Sequence, residues 1–236
     1  MLLHFGSVSA PLYGVYDPAV PPRRRRGVVI LNPWGWESIR AHRTLRALAS
    51  RLAAHGLDVL RFDYSGTGDS FGSLEGATVA TWLEDAETAL DELLGMAGVD
   101  QAAVVGLRLG GLLAPAVAGR RALQVDRLVC WEPFLSGGAF LDSVKGQLPS
   151  GPNPFLVPQL FRESIADIDL SPLEEFRGHA MVISAEPVTA PKARSTHAVR
   201  THPDNPQCWV EDRHFGAGAV PTALINDMAN WLGSSL

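Results

Sequence analysis

The chain has 236 residues, 46% of them hydrophobic and 19% charged, and a formal net charge of −5. That is apolar material for one large core, so a single unit spanning residues 1–236 is expected rather than two domains. The negative balance argues against nucleic acid as the main partner, and no apolar run is long enough to span a bilayer.

No basic stretch followed by a long apolar segment opens the chain, so no signal peptide is expected and the expected location is the cytosol. Leu2 to Ser7 and Leu12 to Tyr16 are short, turn-bounded and rich in aliphatic or aromatic residues, which predicts an antiparallel pair. Arg23, Arg24, Arg25 and Arg26 follow Pro21-Pro22 and read as a solvated loop feeding a strand, not as a phosphate site. From Gly27 onward, β-rich runs alternate with helical patterns, the signature of parallel strands joined by crossover helices. Strands are predicted at Val28 to Asn32, Asp58 to Asp63, Ala102 to Gly106, Arg127 to Trp131, His179 to Ser184 and Gln207 to Glu211. Helices are predicted at Ser38 to His55, Thr78 to Met96, Leu109 to Gly119, Lys192 to Thr201 and Val220 to Leu232. In the first of them Ala41, Leu45, Leu48, Ala49 and Leu52 recur at helical spacing, and Gly56 follows as a stop.

The region from Leu135 to Gly178 breaks this alternation with Pro149, Pro152, Pro154 and Pro158 and a helix-like stretch near Gln159 to Ile165. An insertion between late strands emerges at the carboxyl edge of an α/β sheet, where ligands bind, so a small cap over about 135–178 is expected. Cys130 and Cys208 lie in apolar, strand-like stretches and read as reduced, buried thiols. The loop Gly66-Thr67-Gly68-Asp69-Ser70 lacks the lysine of a phosphate-binding loop and the spacing of a dinucleotide fingerprint. It reads as structural, with Asp63 and Asp69 bonding local backbone groups and Ser65 no nucleophile by its spacing. The histidines are scattered without metal-ligand spacing, so neither a metal nor another cofactor is expected.

The most informative stretch is Gly106-Leu107-Arg108-Leu109-Gly110, directly after a predicted strand and before a predicted helix. It has the outline of a nucleophile elbow, in which small neighbours make room for a strained strand-to-helix turn, with arginine where serine belongs. Arginine keeps its proton at any working pH and offers donors only, so Arg108 is not expected to form an acyl-enzyme.

GLRLGG at this strand, NPWGWE at Asn32 to Glu37, LRFDYSGTGDS at Leu60 to Ser70 and CWEPFLSGGAFL at Cys130 to Leu141 resemble the α/β-hydrolase superfamily. The likeness is to its serine aminopeptidase-like branch and, within that, to the exosortase-associated hydrolases. It implies a mostly parallel, doubly wound sheet with an antiparallel N-terminal hairpin and a small cap. It also implies a catalytic histidine after the last strand, a place that His214 fills, and an acid to orient it. Glu186, after the strand ending at Ser184, is the first choice for that acid, and Glu132 in Trp131-Glu132-Pro133 the alternative. By position, the backbone N–H of Leu109 and one from the Trp34 or Gly35 region would form the oxyanion hole, with Trp36 and Trp131 lining an apolar pocket.

A guanidinium at the floor of a partly dry cavity needs an anionic partner. If Glu132 or Glu186 supplies it, the site is plugged and the chain is a silent relative that binds a ligand or a partner protein. If a substrate anion supplies it, His214 acts as general base while Arg108 and the backbone donors hold negative charge. The nearby cation then favours a neutral imidazole. The second case predicts an enzyme acting on a small acyl ester, thioester or carbonyl compound by hydrolysis or proton transfer.

Overall fold

A computed structural model describes residues 1–145, 156–185, 197–201, 209 and 220–234. The described strands are β1 (Leu2–Ser7), β2 (Ala10–Asp17), β3 (Gly27–Leu31), β4 (Asp58–Phe62), β5 (Ala102–Leu107), β6 (Val125–Trp131), β7 (His179–Ser184) and β8 (His197–Thr201). They form an eight-stranded sheet in the order β1-β2-β4-β3-β5-β6-β7-β8. β1 and β2 pair antiparallel, β2 joins β4 antiparallel, and every later pairing is parallel. The leading hairpin and the doubly wound parallel sheet are thus as the sequence predicts.

Among the described residues, four helices cover the two faces: α1 (Gly35–Ala54), α2 (Val79–Ala97), α3 (Leu109–Arg120) and, near the C-terminus, α7 (Thr222–Gly233). Alternation along each central strand sorts side chains between the faces. Val28, Ile30, Ala103, Val105, Val129, Trp131, Met181 and Ile183 pack with the apolar sides of α1 and α7. Val29, Leu31, Val104, Leu128, Cys130 and Val182 pack with α2 and α3. Both faces are covered, which is why these strands read as continuous apolar runs. In α1 the stripe Ala41, Leu45, Leu48, Ala49 and Leu52 is fully or almost fully buried. For α2, Thr78 and Thr81 form a reciprocal capping box at the start, and Gly98 adopts φ 63 at the end.

Among the described residues, three short helices lie between β6 and β7: α4 (Gly137–Lys145), α5 (Gln159–Ile165) and α6 (Pro172–Glu175). α5 occupies the stretch predicted as helix-like.

One element differs in kind. The sequence predicts a helix over Lys192 to Thr201, but 197–201 form β8, with Met181 opposite Ala198 and Val182 opposite Val199. An open β7 edge offers a full row of backbone donors and acceptors, and that ladder outweighs a weak local helical preference. The strand expected at Gln207 to Glu211 lies outside the described residues, apart from Trp209.

The strand order places a topological switch beside β3. After β3 the chain crosses to β4 on one side, then returns past β3 to β5 on the other. Leu31 pairs with Gly106, so the two strands end side by side and α1 and α3 start from adjacent positions. A crevice between such diverging loops is where open α/β sheets hold ligands.

Candidate functional site

Arg108 stands between β5 and α3 at φ 54, ψ −113, a backbone conformation rarely open to a residue with a Cβ. This is the sharp turn that the Gly106-to-Gly110 pattern predicts. Its two glycines are required by contact: a Cβ on Gly106 would strike the Gly110 carbonyl oxygen, and one on Gly110 the Leu31 carbonyl oxygen. The turn is closed by Arg108 N–H donating to the Trp131 carbonyl at 2.9 Å and by Leu112 N–H donating to the Arg108 carbonyl at 3.1 Å.

The guanidinium of Arg108 is held on several sides. Nε donates to Oε1 of Glu37 at 2.9 Å, and Nη1 donates to the Glu132 carbonyl at 3.3 Å. The carbon of the guanidinium sits 4.0 Å from the ring centre of Phe134, within cation–π range. Nη2 donates to no described residue, and the side chain is 15% exposed.

Sequence reasoning proposed Glu132 or Glu186 as the internal counter-ion. Among the described residues the ion pair is made by Glu37, in the first turn of α1, while Glu186 lies outside them. An acidic residue there is ordinarily read as a complement to the helix dipole, which hides its second role. The available signal was topological: helices starting from adjacent strand ends bring their first turns together. Glu37 is only 4% exposed, and burial pushes its carboxyl above the ordinary carboxylate range, while Arg108 and then Arg40 pull it back.

Glu132, directly after β6, has φ 45, a left-handed conformation that a residue with a Cβ rarely adopts. Its N–H donates to the Ile183 carbonyl at 2.7 Å, and its buried carboxylate accepts from the Ala185 N–H, joining the ends of β6 and β7. Glu186 and His214 lie outside the described residues. Leu109 opens α3 and Gly35 opens α1, so their N–H groups are among those a helix leaves without an intrahelical partner.

Trp34 is buried in an aromatic cluster, with ring centres 5.4 Å from Trp82, 5.9 Å from Phe140 and 5.1 Å from Phe161. Phe140 and Phe161 come from α4 and α5, so these two helices pack directly on the loop after β3. A cavity of about 370 Å³ opens beside this cluster, lined by Trp34, Gly35, Ile39, Tyr64, Leu74 and Trp82 among others. Two of the tryptophans assigned to a pocket are elsewhere. Trp131 is completely buried, edge-on to Trp209 with ring centres 5.1 Å apart, because the alternation of β6 turns it toward α1 and α7. Trp36 is half-buried in the first turn of α1, outside that cavity's lining.

The loop after β4 is held by its own hydrogen bonds, and its Asp63, Gly66, Thr67 and Gly68 also line the cavity beside Trp34. Oδ2 of Asp63 accepts from the Asp69 N–H at 3.2 Å, and Ser65 Oγ donates to Asp85 at 2.8 Å. Cys130 is a free thiol inside β6, and burial pushes it up to about 12, so it stays protonated and inert. Among the described residues, no three His, Cys, Asp or Glu side chains gather into a metal-binding group, and no helix is long and apolar enough to cross a membrane.

Comparison with known proteins bears on the same residues. The pattern of the family described as serine aminopeptidase, S33, matches residues 23–155, more than half of the chain. The palmitoyl-protein thioesterase ABHD10, mitochondrial, of Bos taurus is 30% identical over 149 residues, which are 60% of this chain and 46% of that protein. The chain therefore spans about half the length of that relative. Among solved structures, Est1E from Butyrivibrio proteoclasticus with bound ferulic acid superposes with a TM-score of 0.69 at 17% identity, over 98% of each chain. The proline iminopeptidase of Mycobacterium smegmatis superposes with a TM-score of 0.65 at 16% identity, over 98% of this chain and 97% of that one. At such identities the likeness is one of fold.

Proposed function

This chain belongs to the serine aminopeptidase (S33) family of the α/β-hydrolase superfamily, and from that premise we propose that it hydrolyses a small acyl ester or thioester without forming an acyl-enzyme. One observation carries the reading: the residue in the strained elbow conformation is an arginine clamped by Glu37 and Phe134, with Nη2 uncommitted among the described residues. A cation fixed there cannot attack a carbonyl, yet it is placed where an elbow residue meets substrate.

In this reading His214 takes a proton from water, and the resulting hydroxide adds to the acyl carbon. Arg108 Nη2 and the backbone N–H groups of Leu109 and Gly35 receive the developing oxyanion. Collapse of the tetrahedral intermediate expels alkoxide or thiolate, which takes the proton from His214 and leaves as alcohol or thiol. We assign the orienting acid to Glu132, because its carboxylate is buried beside the elbow, with Glu186 as the other position. The aromatic cavity beside Trp34 suits the acyl group, and the segment 135–178 acts as the cap. The thioesterase relative supports the substrate class, and the neighbour with bound ferulic acid shows a small carboxylic acid held by the same fold.

A second reading has an observation of its own. The Glu37 carboxylate already offsets the charge of Arg108, which is what a silent relative needs to keep a cation in a plugged site. The two readings separate in one assay with short p-nitrophenyl esters, acyl thioesters and a fluorophosphonate probe. The enzyme reading expects turnover by the wild type, none in His214→Ala, and no fluorophosphonate labelling. Labelling of the wild type would refute the arginine argument. An inactive wild type whose Arg108→Ser variant gains weak activity would establish the silent relative.

A further inference from the structure

We propose that the cleft at the amino-terminal edge of the sheet, opposite the elbow, binds a small anion carrying a diphosphate group. The cleft has a volume of about 610 Å³ and is lined by Arg24, Arg25, Arg26, Asp126, Arg127 and Arg177, among others. Among the described residues, five guanidinium groups thus face one carboxylate, in a chain whose formal charge is −5. The Arg23-to-Arg26 run alone does not build this site. Arg23 leaves it to pair with Asp58 at 2.8 Å, while Arg127 at the start of β6 and Arg177 before β7 enter from distant parts of the sequence.

Three of the five have structural duties. Arg24 Nη1 donates to the Gly233 carbonyl, Arg26 pairs with Asp126, and Arg127 donates to the carbonyls of Trp231, Leu232 and Ser234 at the end of α7. Capping a helix C-terminus with cations is favourable, but it does not account for the remainder. The Arg25 and Arg177 side chains are exposed and donate to no described residue, although both line the cleft. Arg25 also holds φ 44, a strained conformation for which the capping contacts give no reason.

Within the cleft, Arg127 is 1% exposed and its Nε has no hydrogen-bond partner among the described residues. Burial, and after it the neighbouring Arg26, push its guanidinium below the ordinary range, so gathering these cations carries a cost that a bound anion would relieve. A concave site of one sign focuses its field, and guanidinium forks match phosphate oxygens in pairs. Arg25 and Arg177 approach from separate segments, which suits two linked phosphates better than one.

The test is isothermal titration of the full chain with inorganic pyrophosphate and with ADP. Sulfate at matched ionic strength serves as the control, and Arg25→Gln and Arg177→Gln as variants. These two substitutions leave the α7 contacts in place, so unchanged thermal melting of the ligand-free variants verifies the fold. The expected result is saturable 1:1 binding of pyrophosphate, weaker by about tenfold or more in each variant, as loss of a charge-assisted hydrogen bond implies. Tighter binding of ADP would identify a nucleotide, and equal binding a ligand read through its diphosphate alone; either supports the site. No saturable binding up to about 10 mM, equal affinity for sulfate, or undiminished binding in both variants would overturn it. None of these outcomes depends on hydrolase activity at the opposite edge.

Discussion

Arg108 and Arg127 are two arginines drawn out of water at opposite edges of one sheet, and they are satisfied in different ways. Arg108, at the carboxyl edge, is answered by a carboxylate and an aromatic face, and Nη2 stays uncommitted among the described residues. Arg127, at the amino edge, is answered by uncharged oxygens at the end of α7. Neutral partners satisfy its donors without cancelling its charge. That arrangement fastens a helix and leaves a positive cleft. The carboxylate partner cancels charge and ties α1 to the elbow, which holds the Arg108 side chain at the switch point.

The largest expected effect tests the fastening role. Arg127→Met removes a charged donor from four acceptors at the end of α7, at an expected cost of about 4 kcal/mol in urea unfolding. A loss under about 1 kcal/mol would show that α7 is held by its apolar face alone. Next comes Gly110→Ala, whose Cβ meets the Leu31 carbonyl; it is expected to cost about 3 kcal/mol in the same measurement.

Glu37→Gln leaves Arg108 without its counter-ion and is expected to cost about 2 kcal/mol, discounted because the guanidinium is partly solvated. The double variant Glu37→Gln with Arg108→Met should recover most of that loss, because no charge is then stranded. A double variant worse than the sum of its singles would mean that packing, not charge pairing, dominates there. The smallest effect belongs to Phe134→Leu, which removes the ring under Arg108 and is expected to cost about 1 kcal/mol or less.

Several of these features could be read from the chain before its shape was known. Val28 to Asn32 and Ala102 to Gly106 are continuous apolar runs, and such runs between helical periods mean strands covered on both faces. Gly106 and Gly110 around Arg108 announced a turn too tight for a Cβ on either side, and the turn is there. Other features could not be read. Glu37 carries the ordinary look of a first-turn acid, and only the pairing of Leu31 with Gly106 sets its helix beside α3. An aromatic residue near a strand end, such as Trp131, suits a pocket mouth, whereas its parity along β6 sends it into the core. The helix expected over Lys192 to Thr201 became β8 because an open strand edge is a long-range fact, absent from any local window.

By itself, the sequence determined the hydrophobic periods, the glycines that admit the elbow, and the permanently cationic side chain at its centre. All three are local, set by side-chain volume, backbone freedom and the basicity of guanidinium. The tertiary structure alone decided which charge answers Arg108, which face receives Trp131, and that Arg25, Arg127 and Arg177 share one cleft. Those outcomes depend on strand order and register, which bring together residues up to about 150 positions apart in the chain.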